Sequence, residues 1–146
     1  MDSKKDSKFI ETLISHEGKE RFAYKDSLGY WTIGCGRCVD KEAGLGLSDS
    51  EMDILLQNDI QRCRTELDRC EFYRKETNQV RKDALVELSF NMGISKLLQF
   101  VKMISAIDAG DYKLASYELS NSKWATEVSK ERVDNIKYRI ENGVYP

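Results

Sequence analysis

The sequence has almost no proline: of its 146 residues the only one is Pro146. No internal position is therefore barred from a helix by a missing backbone donor. It lacks any apolar run approaching the ~20 residues that a membrane span requires. Its opening, MDSKKDSK, lacks the apolar stretch of a secretory signal. The expectation is synthesis in the cytoplasm, with no membrane insertion; action elsewhere would need something else to let the protein out. A basic excess is missing too. The 23 Lys+Arg face 25 Asp+Glu, a net charge of −2, which gives no electrostatic footprint for nucleic acid. Internal repeats and low-complexity segments are absent. What is present, 40% hydrophobic and 10% aromatic residues, suits one folded domain with a sizeable core, divisible into two small lobes.

The expected class is α+β, mostly helical, with one small β-hairpin lobe. Gly18, Gly29, Gly34, Gly36, Gly44 and Gly46 crowd into a short region and mark it, about 18–48, as strand and loop. A long helix is expected from about 49 to 70. Ser48 and Glu51 form a capping box before it, and Leu56, Ile60, Cys63, Leu67 and Cys70 make an apolar stripe along it. At ~1.5 Å per residue such a helix can bridge two lobes. Further helices are predicted at about Gln79–Met92 (Asn78 cap, Gly93 stop), Lys96–Ala109, Asp111–Ser120 and Lys130–Asn142 (Gly143 stop). The helical lobe then comprises about 71–146 with the N-terminal helix.

The stretch LISHEGKERFAYKDSLGYWTIGCGRC, Leu13 to Cys38, carries the chemistry. Phe9, Leu13 and Glu17 are spaced by four, so Glu17 is expected to continue a buried stripe, with Gly18 ending the helix. A carboxyl against apolar side chains keeps its proton near neutrality and can serve as a general acid. Taken alone, a last-turn Glu more often points to solvent as the helix frays. Next, a three-residue loop Ser27-Leu28-Gly29 would pair Asp26 with Tyr30, placing Tyr24, Asp26, Tyr30 and Thr32 on one hairpin face. A protonated acid with a carboxylate about 6.5–9.5 Å away leaves room for a water, as in inverting glycoside hydrolysis. Thr32 could hold that water. Asp and Gly are also ordinary turn residues.

The four cysteines suggest no metal and no cofactor. Cys63 and Cys70 lie two turns apart on one stripe, ~10.5 Å along the axis, too far for a mutual disulfide. Core filling accounts for them. Cys35 and Cys38, in CGRC, lie in a hairpin without a matching second pair, so a zinc knuckle is not supported. A bridge between hairpin and helix stays open.

Glu17, Asp26 and Thr32, with eight and five residues between them and framed as HEG…AYKDSLGYWTIGCG, closely resemble the phage-type lysozyme family. The similarity continues through the capped helix from Ser48, LSFNMG at 88–93, NSKW at 121–124 and the helix around Arg132. It implies a lysozyme-like fold and a muramidase cutting the β-1,4 bond between N-acetylmuramic acid and N-acetylglucosamine in peptidoglycan. Glu17 would be the general acid, Asp26 the opposing carboxylate and Thr32 the water-holder. Tyr30, Phe90 and Asn91 would contact the glycan, in a cleft between the hairpin and the helical lobe. Asn91 replaces a Gln of longer reach. The same resemblance implies a monomer made in a host cytoplasm, acting in the periplasm after release by a helper such as a holin.

Departures from the family pattern concern the surroundings of the site. His16, the only histidine, stands where the family has an Asp that pairs with the Arg132 position. A structural role for His16 is favoured over a proton relay. A second arginine near the acid has no counterpart beyond Ser129 or Lys130. Arg37 replaces a common His. Met103 and Glu118 stand where polar substrate contacts are expected. A non-catalytic glycan-binding or virion structural relative is the competing reading; both acids being present argues against it.

Overall fold

The computed structural model describes residues 3–146, with side chains from residue 7; Met1 and Asp2 of the polar opening lie outside the described residues. The chain forms two compact units, residues 1–54 and 55–146.

The first unit holds α1 (Ser3–Glu17) and a three-stranded antiparallel sheet of β1 (Glu20–Lys25), β2 (Trp31–Gly34) and β3 (Arg37–Cys38), in that order. Gly18 stops α1 with a positive φ of 81° and an N–H donated to Ile14 C=O at 2.8 Å. The β1–β2 turn has the expected three-residue form. Asp26 N–H donates to Tyr30 C=O at 2.9 Å, Gly29 N–H to Asp26 C=O at 3.0 Å, and Gly29 takes φ 85°. Tyr24 lies opposite Thr32 and Lys25 opposite Trp31, with an irregularity between Glu20 and Tyr24. On the far side Thr32 pairs with Cys38 and Ile33 with Arg37.

One expectation fails in this unit. Among its described residues Thr32 alone is buried, and Phe9, Ile10 and Leu13 of α1 are exposed. Glu17 is exposed with them. The stripe exists as spacing, but a helix and a dozen sheet residues provide no second apolar layer inside this unit for it to face. Its last turn carries His16, also exposed.

α2 (Asp49–Leu67) opens as the capping box requires: Ser48 N–H donates to Glu51 Oε2 at 2.9 Å and Glu51 N–H to Ser48 Oγ at 3.2 Å. It ends at Leu67, short of the expected 70, because Cys70 instead precedes a separate short helix, α3 (Glu71–Lys75). The division between units falls within α2.

The second unit owns the core. Leu67, Ala84, Leu85, Leu88, Leu97, Ala115, Leu119 and Ile136 are all but inaccessible. Each such Leu or Ile contributes about 1.5–3 kcal/mol relative to exposure. α4 (Gln79–Met92) begins where Asn78 Oδ1 accepts Arg81 N–H at 3.0 Å and stops at Gly93. The helix expected at 96–109 is two: α5 (Ile94–Leu97) and α6 (Val101–Asp108). Gln99 and Phe100 donate to carbonyls three residues back, both at 3.0 Å. That tightened turn re-aims the chain so that Met103, Ala106 and Ile107 reach the core. α7 (Tyr112–Ser120) is capped by Asp111, α8 (Trp124–Glu127) is an unforeseen single turn, and α9 (Lys130–Asn142) runs from a Ser129 cap to a left-handed Gly143. Among the described residues no helix is long and apolar enough to cross a membrane.

Candidate active site

In the first unit, two turns flank β2: one fixes an acid by hydrogen bonds, and a second acid lies close to the other. At the β1–β2 turn Asp26 Oδ1 accepts the N–H groups of Leu28 and Tyr30, both at 2.9 Å. The carboxylate is thereby fixed by its own loop, and Oδ2 is left for other work. At the β2–β3 turn, Gly36 lies against Glu17: a Cβ built on Gly36 would meet Glu17 Oε2 at 2.7 Å. Thr32 sits in the strand between. It is buried, and its hydroxyl donates to Tyr30 C=O at 3.1 Å, leaving its lone pairs to accept. Asp26 and Tyr24 are half-buried on the face they share with Thr32, while Tyr30 is more exposed.

Arg37 and Glu51 brace this arrangement, a link that the sequence reading did not contain. Arg37 donates to Glu51 Oε1 at 2.6 Å and Oε2 at 2.8 Å, and to Gly46 C=O at 3.2 Å. The guanidinium, helped by Ser48 N–H, pulls the Glu51 carboxyl down to about 2 from an ordinary 4.5. Asp40 stitches the following loop by accepting Glu42 N–H at 2.9 Å, a bond that also lowers its own pKa. The only advance signal for Arg37–Glu51 was the capping box itself, whose Glu was free to take a second partner.

The second unit carries the remaining candidates. Phe90 is exposed and lines an open groove of about 320 Å³ together with Leu56, Val86, Glu87 and Arg132. Asn91 Oδ1 accepts the Trp124 indole N–H at 2.7 Å, so the Asn91 NH₂ is the part left for a ligand. Arg132 pairs with Glu87 at 3.3 Å. Glu87 also holds Arg139, whose side chain is only 5% exposed. Glu87 was missed from sequence because its partners lie 45 and 52 residues away. Met103 is buried, yet it lines a second depression, about 350 Å³, with Glu118 and Asn121.

Cys35, Cys38, Cys63 and Cys70 are free thiols; Cys63 is buried in the core as a filler, and Cys35 is exposed. Among the described residues no three His, Cys, Asp or Glu side chains converge as a metal site.

Comparison with known proteins bears on the family of the chain. The phage lysozyme family model matches residues 14–141. "Probable T4-type lysozyme 1" of Dictyostelium discoideum is 24% identical, over 94% of this chain and 95% of the relative. "Probable T4-type lysozyme 2" of the same organism is 27% identical, over 85% of this chain and 88% of the relative. The match runs from the end of α1 to the end of α9 and takes in both acid-bearing turns, so the chain belongs to the phage lysozyme family and is a glycoside hydrolase, a muramidase acting on peptidoglycan.

Proposed function

We propose that Glu17 donates a proton to the leaving glycosidic oxygen while Asp26 acts from the other face of the sugar, with Thr32 holding a water. In this mechanism the bond between N-acetylmuramic acid and N-acetylglucosamine breaks as the leaving oxygen gains the Glu17 proton. Asp26 stabilises the developing cation and takes a proton from the water that attacks the anomeric carbon. The product emerges with inverted configuration. One observation supports this reading: Asp26 is fixed by the turn before β2, the bare Gly36 in the turn after β2 lies against Glu17, and the buried Thr32 stands in the strand that joins the two turns. Asp26 supports its role as a preorganised carboxylate whose Oδ1 is held by two N–H groups and whose Oδ2 has no partner among the described residues. Glu17, exposed in the free protein, is backed by Gly36 on one side; a bound sugar ring would enclose the other.

Tyr30, Phe90 and Asn91 are the proposed glycan contacts: two aromatic surfaces for sugar faces and one amide donor. Arg132 supports through Glu87, and His16 has a structural role at the end of α1. We further infer that the enzyme works as a monomer on the wall in the periplasm, reaching it through a release partner such as a holin.

The test is Glu17→Gln, which keeps shape and removes the transferable proton. Clearing of permeabilised cells and release of fragments from purified peptidoglycan should vanish at unchanged melting temperature. A wild-type rate would overturn the assignment.

A further inference from the structure

Six of the nine glycines have open space where a side chain would be: Gly18, Gly29, Gly34, Gly46, Gly93 and Gly110. Gly36 does not. A Cβ there would stand 2.7 Å from Glu17 Oε2, 3.2 Å from Cδ and 3.4 Å from Cβ. The Glu17 side chain, from Cβ to Oε2, therefore occupies the space that a side chain at position 36 would need. Gly36 also has φ 84°, but so does Gly34, two residues earlier, have a positive φ, 68°, with nothing near it. Backbone conformation alone asks for glycine at both positions; closeness to Glu17 asks for it at Gly36 only.

We propose that Gly36 is a positioning residue for the reaction: its bare α-carbon is the stop against which the Glu17 carboxyl rests. The inference depends on Glu17 being the general acid. Two features make the stop firm. The next residue, Arg37, is held by both oxygens of Glu51 and by Gly46 C=O, and Ile33 pairs with Arg37 across the turn. The Glu17 carboxyl, by contrast, is the free end of an exposed side chain. When a methyl group is added at position 36, the carboxyl moves and the turn stays. The penalty falls on the placement of the proton donor, where displacement by about 1 Å can lower a rate 10²-fold.

The experiment compares Gly36→Ala with Gly34→Ala on peptidoglycan fragments. Both substitutions strain a left-handed backbone, so both should lower the melting temperature by similar amounts. Only Gly36→Ala should lose kcat, by about 10²-fold with KM within about twofold, the pattern of an interaction made in the transition state. Adding Gly36→Ala to Glu17→Asp, whose side chain is one methylene shorter, should lower the rate at least about tenfold less than it does in the wild type, since the pair is coupled. Equal rates for Gly36→Ala and Gly34→Ala, additive losses in the double variant, or a much larger melting loss for Gly36→Ala would each overturn the proposal. Glu17→Gln separates the two levels. If it is active, the acid assignment itself fails; if it is dead while Gly36→Ala is active, only the stop fails.

Discussion

Glu87 and Arg139 form an ion pair in which the acid reaches solvent and the base does not: their side chains are 33% and 5% exposed. Glu87 serves Arg132 at the same time. Among the described residues Arg139 Nε has no hydrogen-bond partner, and apart from the Tyr145 ring 5.2 Å away its guanidinium rests on this one carboxylate. Glu87→Ala should strand a buried cation and destabilise by about 2–3 kcal/mol, below the usual range for a fully buried pair because Glu87 is partly hydrated. A fall in melting temperature of roughly 5–10 °C would register it. Arg132→Met, at a half-exposed position, should lose less than about 1 kcal/mol.

The Arg37–Glu51 pair predicts a pH signature. Glu51 has its pKa lowered to about 2 in the folded protein from an ordinary 4.5. A depressed carboxyl stabilises the fold above its unfolded pKa, and that contribution disappears as pH falls through the folded value. Glu51→Gln keeps the capping box and removes the charge. The melting-temperature gap between wild type and variant should therefore be widest at neutral pH and close between about 4.5 and about 2. A gap that does not change over that window would show that Arg37 draws nothing from the charge.

Asp26→Asn is a clean probe because the amide oxygen can still accept the Leu28 and Tyr30 N–H groups. The turn should survive while activity falls by several orders of magnitude, since an amide neither takes a proton from water nor stabilises the cation. Thr32→Val, which removes only a hydroxyl, should lower the rate less. Anomeric analysis of the products should give inversion; retention would make Asp26 a nucleophile instead.

Binding can be followed without turnover. Chitooligosaccharide titrated into Glu17→Gln should shift the amide resonances of Tyr30, Thr32 and Phe90 together. Shifts confined to α9 would remove these residues from the proposed glycan site.

The free thiols give a simpler expectation. Dithiothreitol should leave both rate and melting temperature unchanged; a loss of several degrees would reveal a bridge.

What could be read in the sequence was what neighbours in the chain decide. Ser48 and Asn78 accept helix N–H groups as side chains of that type do at caps, and the loop before Tyr30 follows from one glycine in the left-handed region. The candidate acids were legible for the same reason, since Asp26 is oriented by its own turn. Whether Glu17 is covered or exposed was not settled by the sequence, because spacing on a helix says which residues share a face and nothing about what covers it. Glu87 and Arg139 were equally out of reach, being joined only once α4 and α9 are in place. The break at Leu98–Phe100 turns on core geometry rather than on any breaker residue.

β2 has only four residues, and both of its neighbouring turns are committed, one to Asp26 and the other to Glu17 through Gly36. The strand therefore acts as a ruler. Adding one residue would lengthen it by about 3.3 Å and turn every later side chain to the opposite face. The loop at 39–48 holds neither acid, and its share in the site is the Gly46 C=O that accepts from Arg37. Length variation among relatives that keep the activity should gather in loops of that kind, while Trp31–Gly34 keeps its count even where its residue types change.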